Sequence, residues 1–318
     1  MSMDDQTVAS DASSTPARAR VIPPGVLAPA LAAGLCLVLV LLTWSAFIGT
    51  SRGQQVDDAA RIGSAGARDW IGGLTELVLN AVSVPLLVVV LAIAVLISLL
   101  QRRWSIAIAA IMMLAGSNLT TQILKDVLLR PDGDVARVAL NSFPSGHVTV
   151  AASISVTALL VVSVRWRSIV ALIGAILTAT MGVATMVGTT TSGAWHRLSD
   201  VLASVLITGA WYFLVEAVLA GVSGVDKPAV VQGRWEMWMS LILRVFAVIG
   251  GLTGGLALGA LGATTIRAPI ETTVGYQVAF AGAVAAVLCI CSLVFGLMLR
   301  LRPHHPHPQR PPEIPDGG

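Results

Sequence analysis

Two histidines in this 318-residue sequence each stand at the start of a long apolar run. His147 ends the polar segment 141–147, and His196 precedes a second run that has Asp200 four residues further on. If both runs are helices, the histidines lie at helix N-termini, whose unpaired backbone N–H groups attract anions. The three other histidines all fall in the tail after Pro303. The pattern therefore predicts a phosphate site built around His147 and His196.

The composition fixes the environment of the helices that must position these histidines. Hydrophobic residues make up 55% of the chain and charged residues only 12%. Apolar segments of about 18 residues or more, bounded by charges, indicate membrane-spanning helices, because lipid leaves no other way to satisfy backbone polar groups. We predict an all-α, polytopic membrane helical bundle. The net charge of +3 comes from Lys and Arg between the apolar runs, which is typical of topology signals and not of a nucleic-acid partner.

Eight apolar runs are long enough to cross a bilayer. Residues 1–24 and the Pro/His-rich residues 303–318 are predicted to be disordered tails, and 49–80 to contain a short helix at the membrane interface. The predicted spans are about 26–48, 81–100, 105–124, 148–164, 168–188, 200–221, 245–265 and 276–299. The glycine-rich run 245–265 has small-xxx-small spacing, which makes it a candidate surface for a homo-oligomer.

An even number of spans leaves both termini on one side of the membrane, and the basic residues indicate which side. Of the 20 Lys and Arg, twelve flank the spans on the side of the termini and eight on the other. Because cytoplasmic loops are enriched in basic residues, we expect cytoplasmic termini in a multi-pass cell-membrane protein. The two histidines would then open to the extracytoplasmic face.

The third predicted span carries a polar stripe. Asn118, Gln122 and Lys125 recur at helical spacing on one face. Polar atoms facing lipid are costly, so the stripe should face the interior of the bundle. Interhelical hydrogen bonding alone is the alternative explanation. The stripe leads directly to Arg130-Pro131.

These segments together resemble the three signature motifs of the type 2 phosphatidic acid phosphatase (PAP2) family. The matching residues, in the family's order and flanking the third to sixth spans, are Lys125 with Arg130-Pro131, Pro144-Ser145-Gly146-His147, and His196 with Asp200. The resemblance covers about residues 80–222. It implies a six-helix PAP2-like core over 25–222, followed by two additional transmembrane helices in 223–302.

The resemblance also implies a mechanism. His196 would attack phosphorus and become a phosphohistidine, Asp200 would hold the other ring nitrogen, and His147 would act as general acid. The groups expected to bind the phosphate oxygens are Lys125, Arg130, Ser145 and Gly146. No metal or other cofactor is needed in this scheme. The implied substrate is an amphiphilic lipid phosphate such as phosphatidic acid, phosphatidylglycerol phosphate or a polyprenyl (di)phosphate.

Two departures from the family pattern bear on activity. Thr190 stands where the family has an Arg six residues before the nucleophilic His, which leaves Arg197 and Arg137 as candidates for a compensating charge. Lys125 precedes Arg130 by five residues where the family usually has about seven, which on a continuous helix would turn the pair about 140° apart. Either the helix ends near Lys125, or Lys125 is not a phosphate ligand.

The sequence is also compatible with functions other than lipid phosphate hydrolysis. A catalytically weak PAP2-like protein that binds an anionic lipid or a partner is the main alternative, because Thr190 cannot supply the family's cation. A transporter is disfavoured, since the later half of the chain has no second copy of the histidine motifs.

Overall fold

The computed structural model describes residues 24–128, 142–223, 234–265 and 269–301. This part of the chain is helical and contains no β-strand, only an isolated bridge between Thr189 and Gly193. The predicted tails, Arg130 and Arg137 lie outside the described residues. The helices are α1 (Pro24–Phe47), α2 (Ser51–Gly63), α3 (Ala65–Ala81), α4 (Val84–Leu100), α5 (Trp104–Val127), α6 (Gly146–Val161), α7 (Arg167–Val187), α8 (Leu198–Ser223), α9 (Arg234–Thr264) and α10 (Thr273–Leu301).

The apolar helices confirm a multi-pass membrane bundle. Among the described residues, six helices are long and apolar enough to span a membrane, namely α1, α5, α7, α8, α9 and α10. The bent pair of α3 and α4 would make a seventh. α6 is apolar but has only 16 residues, or about 24 Å. Six of the eight predicted spans correspond to these long helices, and the remaining two, 81–100 and 148–164, correspond to α4 and the shorter α6.

The stretch predicted as one short interfacial helix folds as two helices, α2 and α3. α2 does not lie on the surface of the bundle: its residues 56–60 are buried, including Asp57 and Asp58. Burying a carboxylate is costly unless it is paired. Both acids have partners in the bundle, described below, and these partners allow α2 to insert.

The two C-terminal helices are integrated into the bundle. α10 packs against α2, α7 and α8 as well as α9. A Cβ built on Gly174 of α7 would lie 2.7 Å from Phe295 of α10, and one on Gly182 would lie 3.1 Å from Val287. The close approach of α7 and α10 thus depends on these glycines.

The glycine-rich helix α9 has two different faces. A Cβ on Gly250 would lie 2.5 Å from the Ala285 carbonyl oxygen of α10, so this face is used for packing within the chain. Gly255 and Gly259 have nothing within 4 Å of their Cβ positions. A homo-oligomer through this helix stays a prediction, and it now concerns the face of Gly255 and Gly259.

Candidate active site

Four helix ends meet at one end of the bundle, and they bring both histidine segments together. His147 lies in the first turn of α6, and His196 lies two residues before the start of α8. The ring of His147 lies 5.3 Å from that of Trp195, centroid to centroid. The backbone N–H of Ser145 donates to the carbonyl of Asp200 at 3.1 Å, which ties the α6 N-terminus to the first turn of α8.

Asp200 is the central acceptor of the site, and it is fully buried. Its Oδ2 accepts from His196 Nδ1 at 3.2 Å, from Ser142 Oγ at 2.6 Å and from the backbone N–H of Arg197 at 3.0 Å. These donors satisfy the buried carboxylate. Since a carboxylate only accepts, this hydrogen bond selects the tautomer with the proton on Nδ1. In a neutral His196 ring held in this way, Nε2 is the nitrogen with the lone pair and the atom that could act as a nucleophile.

His147 has the environment expected of a group that must reach a ligand. It is only partly buried, whereas Ser145, two residues earlier, is fully buried and caps α6 by accepting from the Val148 N–H at 3.4 Å. His147 also lies within electrostatic range of His196 and Lys125. The cap fixes the first helical turn, and the His147 ring packs against Trp195, the residue before His196, while staying partly accessible.

Lys125 faces the same helix end. Its Nζ lies 3.5 Å from the Cβ position of Gly146, and Gln122 Nε2 lies 3.9 Å from it. α5 ends at Val127, two residues after Lys125, which agrees with the first of the two alternatives for Lys125; Arg130 lies outside the described residues. Two turns before Lys125, Asn118 donates to Ser153 of α6 at 3.1 Å, so this part of the polar stripe faces the interior of the bundle as predicted, whereas Gln122 is exposed.

Arg197, a candidate for the compensating charge, is directed toward α2. Its Nε donates to Asp58 Oδ1 at 2.8 Å, and both side chains are buried. Burial acts to lower the pKa of Arg197, but the charge and hydrogen bond of Asp58, with the charges of neighbouring acids, raise that pKa above its ordinary value. The guanidinium thus stays charged and is held by Asp58.

Asp57 and Asp58 are supporting residues that sequence reasoning missed. Asp57 accepts from the backbone N–H of Ser199 at 3.1 Å and from its hydroxyl, and so caps the N-terminus of α8 next to His196. Asp58 holds Arg197 and also accepts from Arg61 at 3.2 Å. Their partners lie some 140 residues away in sequence, so no local spacing indicates the pairing.

α3 contacts the start of the loop 188–197, which joins α7 to α8. It does so in part through Arg68, a residue that sequence reasoning also missed. Arg68 Nε donates to the carbonyl of Val187, the last residue of α7, at 2.9 Å. Thr75 Oγ1 donates to the Gly188 carbonyl. Thr190 is exposed, and its hydroxyl donates to Glu76 at 3.5 Å. The side chain in the position of the family's Arg therefore contacts α3.

Comparison with known proteins identifies a fold. No family model and no curated protein matches this chain. Among solved structures, it is similar to the first transmembrane PAP2 type phosphatidylglycerolphosphate phosphatase from Bacillus subtilis, with a TM-score of 0.50 and 20% sequence identity. The match covers 60% of this chain and 96% of that one. At this identity the similarity shows the PAP2 transmembrane fold, and part of this chain lies outside it.

Proposed function

We propose that this protein is an integral-membrane phosphatase that hydrolyses the phosphate ester or anhydride of a lipid head group. The observation that carries the proposal is the hydrogen bond from His196 Nδ1 to the buried Asp200, because it leaves Nε2 as a nucleophile at a helix N-terminus. The PAP2 fold supports the assignment.

In the first step, His196 Nε2 attacks phosphorus and forms a P–N bond while the P–O bond to the leaving group breaks. His147 donates its proton to the departing oxygen. Asp200 stabilises the positive charge that develops on the His196 ring. Lys125, the Gly146 N–H, the Ser145 hydroxyl and Arg130 are the proposed donors to the non-bridging oxygens.

In the second step, water attacks the phosphohistidine. His147 accepts a proton from the water, the P–N bond breaks, and phosphate leaves while His196 Nε2 recovers its lone pair. Because the histidine supplies the nucleophile, the proposed reaction proceeds without a metal ion.

The proposed substrate is amphiphilic. α6 begins at the site and has 16 residues, which at about 24 Å is shorter than a hydrocarbon core of about 30 Å. A site at the end of this helix meets head groups that arrive by lateral diffusion. We propose that it opens to the extracytoplasmic side and accepts phosphatidic acid, phosphatidylglycerol phosphate or polyprenyl (di)phosphates.

The test is phosphate release by the purified full-length protein in detergent, with each of these lipid phosphates. At least one should be hydrolysed, with activity that survives EDTA. His196→Ala should lower the rate by about 10⁴-fold or more, while the matched variant His305→Ala in the tail should leave it unchanged. Turnover lost on chelation and restored by a divalent cation would contradict the histidine mechanism.

Thr190 favours a second candidate function, a catalytically weak PAP2-like protein that binds an anionic lipid or partner. In that case the protein should bind lipid phosphates or vanadate, yet release phosphate no faster than His196→Ala does.

A further inference from the structure

The proposed reaction concentrates negative charge on the phosphoryl oxygens, which requires donors beyond the α6 N-terminus. Thr190 supplies no charge, and Arg197 is held by the buried Asp58. Among the described residues, one further arginine lies against the loop before His196, namely Arg68 of α3.

Arg68 and the backbone of His196 are both hydrogen-bonded to the C-terminal end of α7. Its Nε donates to the Val187 carbonyl, while the N–H of His196 donates to the Thr185 carbonyl at 3.1 Å. Both acceptors belong to the last turn of α7, so the stem of Arg68 and the backbone of His196 are fixed to the same helix end.

The guanidinium of Arg68 lies against the loop at Gly193, three residues before His196. Its Cζ and both terminal nitrogens lie 3.7 Å from the Cβ position of Gly193, which has a φ of +69°. These terminal nitrogens make no hydrogen bond to any residue in the described ranges. They are paired donors in a planar fork, the geometry that suits phosphate oxygens.

Arg68 also lies next to the position that lacks the arginine. A Cβ built on Gly72 would be 2.9 Å from Thr190 Cγ2 and 3.4 Å from Arg68 Cγ, so both side chains border the same glycine. The absence of a side chain at Gly72 lets α3 approach Thr190 this closely.

We propose that Arg68 supplies, from α3, the phosphate-binding guanidinium that Thr190 cannot. This inference rests on the proposed function and extends it to a residue outside the three motifs. Arg68 keeps Nε on the Val187 carbonyl and donates from its terminal nitrogens to the non-bridging oxygens of the bound phosphate.

The test uses full-length Arg68→Gln and Arg68→Lys, with Arg52→Gln as matched control because Arg52 is an exposed arginine on α2. Arg68→Gln should lose about 10²–10³ in kcat and bind vanadate, a mimic of the transferring phosphoryl group, correspondingly more weakly. Arg68→Lys should fall between, since it keeps the charge but not the fork. Added guanidinium should restore part of the activity of Arg68→Gln, which loss of a structural contact would not allow.

Wild-type kcat and vanadate affinity in Arg68→Gln would overturn the proposal and leave the phosphatase assignment standing. The proposal would also be overturned if the losses of kcat and vanadate affinity accompany a drop in thermal stability and added guanidinium does not reverse them. If Arg68→Gln does not fold, the kcat and vanadate affinity of Arg68→Lys decide the role of Arg68. If the wild type binds vanadate without turnover, the proposed function fails, while the vanadate affinities of the variants still decide the role of Arg68. A wild type that neither binds vanadate nor releases phosphate overturns both proposals.

Discussion

The segments 142–147 and 196–200 hold the proposed reacting groups, whereas α2 and α3 hold the groups that restrain the second of these segments. Within each reacting segment there is a local contact, since His196 and Asp200 are four residues apart and Ser145 caps the helix of His147, and the two segments bind each other through Asp200. In α2 and α3, the partners at the ends of α7 and α8 all lie more than 100 residues away in sequence.

The difference separates chemistry from positioning. α2 holds the start of α8 through Asp57 and Asp58, and α3 holds the end of α7 through Arg68 and Thr75. The loop 188–197 is thus fixed at both ends by a helix pair that comes from one stretch of chain. Changes in the reacting segments should lower turnover at constant stability, and changes in α2 should lower stability first.

Asp200→Asn should give the largest effect on turnover. The amide removes the charge that orients the His196 ring and stabilises its positive form, so we expect kcat to fall by about 10³–10⁴-fold with little change in KM. Steady-state kinetics and thermal unfolding measure the two effects, with Asp69→Asn, an exposed acid of α3, as control. A loss below about tenfold in kcat would show that Asp200 does not act through His196.

Changing Arg197 or Asp58 should act on stability. Removing one partner of a buried ion pair costs about 3–5 kcal/mol, because the other charge stays buried without it. We expect Arg197→Met to lower the unfolding temperature while turnover per folded molecule stays close to wild type.

The double variant Asp58→Leu/Arg197→Met supplies the control for this prediction. It should be more stable than Arg197→Met alone, since no buried charge of the pair is then left behind. If Arg197→Met instead keeps its stability and loses turnover, Arg197 binds phosphate and the distinction between α2 and the reacting segments fails.

Thr190→Arg should have the smallest effect. The new guanidinium would meet the like charge of Arg68 and the carboxylate of Glu76, so we expect a change in kcat within about threefold. In the Arg68→Gln background the same substitution should restore part of the lost turnover. A large gain in the wild-type background would mean that the site lacks a cation, and would favour the weakly catalytic alternative.

The sequence by itself determined the lipid environment, the positions of the long apolar helices and the identity of the candidate reacting residues. In lipid a backbone must satisfy its polar groups within helices, so apolar length alone indicates the spans. The contact of His196 with Asp200 was predicted from their four-residue spacing, although His196 precedes α8 and does not lie on a helical face with Asp200. The polar stripe of α5 followed from helical periodicity, and Asn118 faces the interior of the bundle as predicted, although Gln122 is exposed.

Only the tertiary structure decided the directions of Arg197 and Arg68, the insertion of α2 and the integration of α10. Several acids and arginines in 49–80 have similar local surroundings in sequence, and nothing local distinguishes Asp58, which pairs with Arg197, from the exposed Asp69. In the same way, spacing alone could not tell which glycines of α9 pack against α10. These pairings join residues far apart in the chain, and they form only when packing brings the helices together. The residues that neighbour a charge or a glycine in sequence do not indicate which distant residue it will contact.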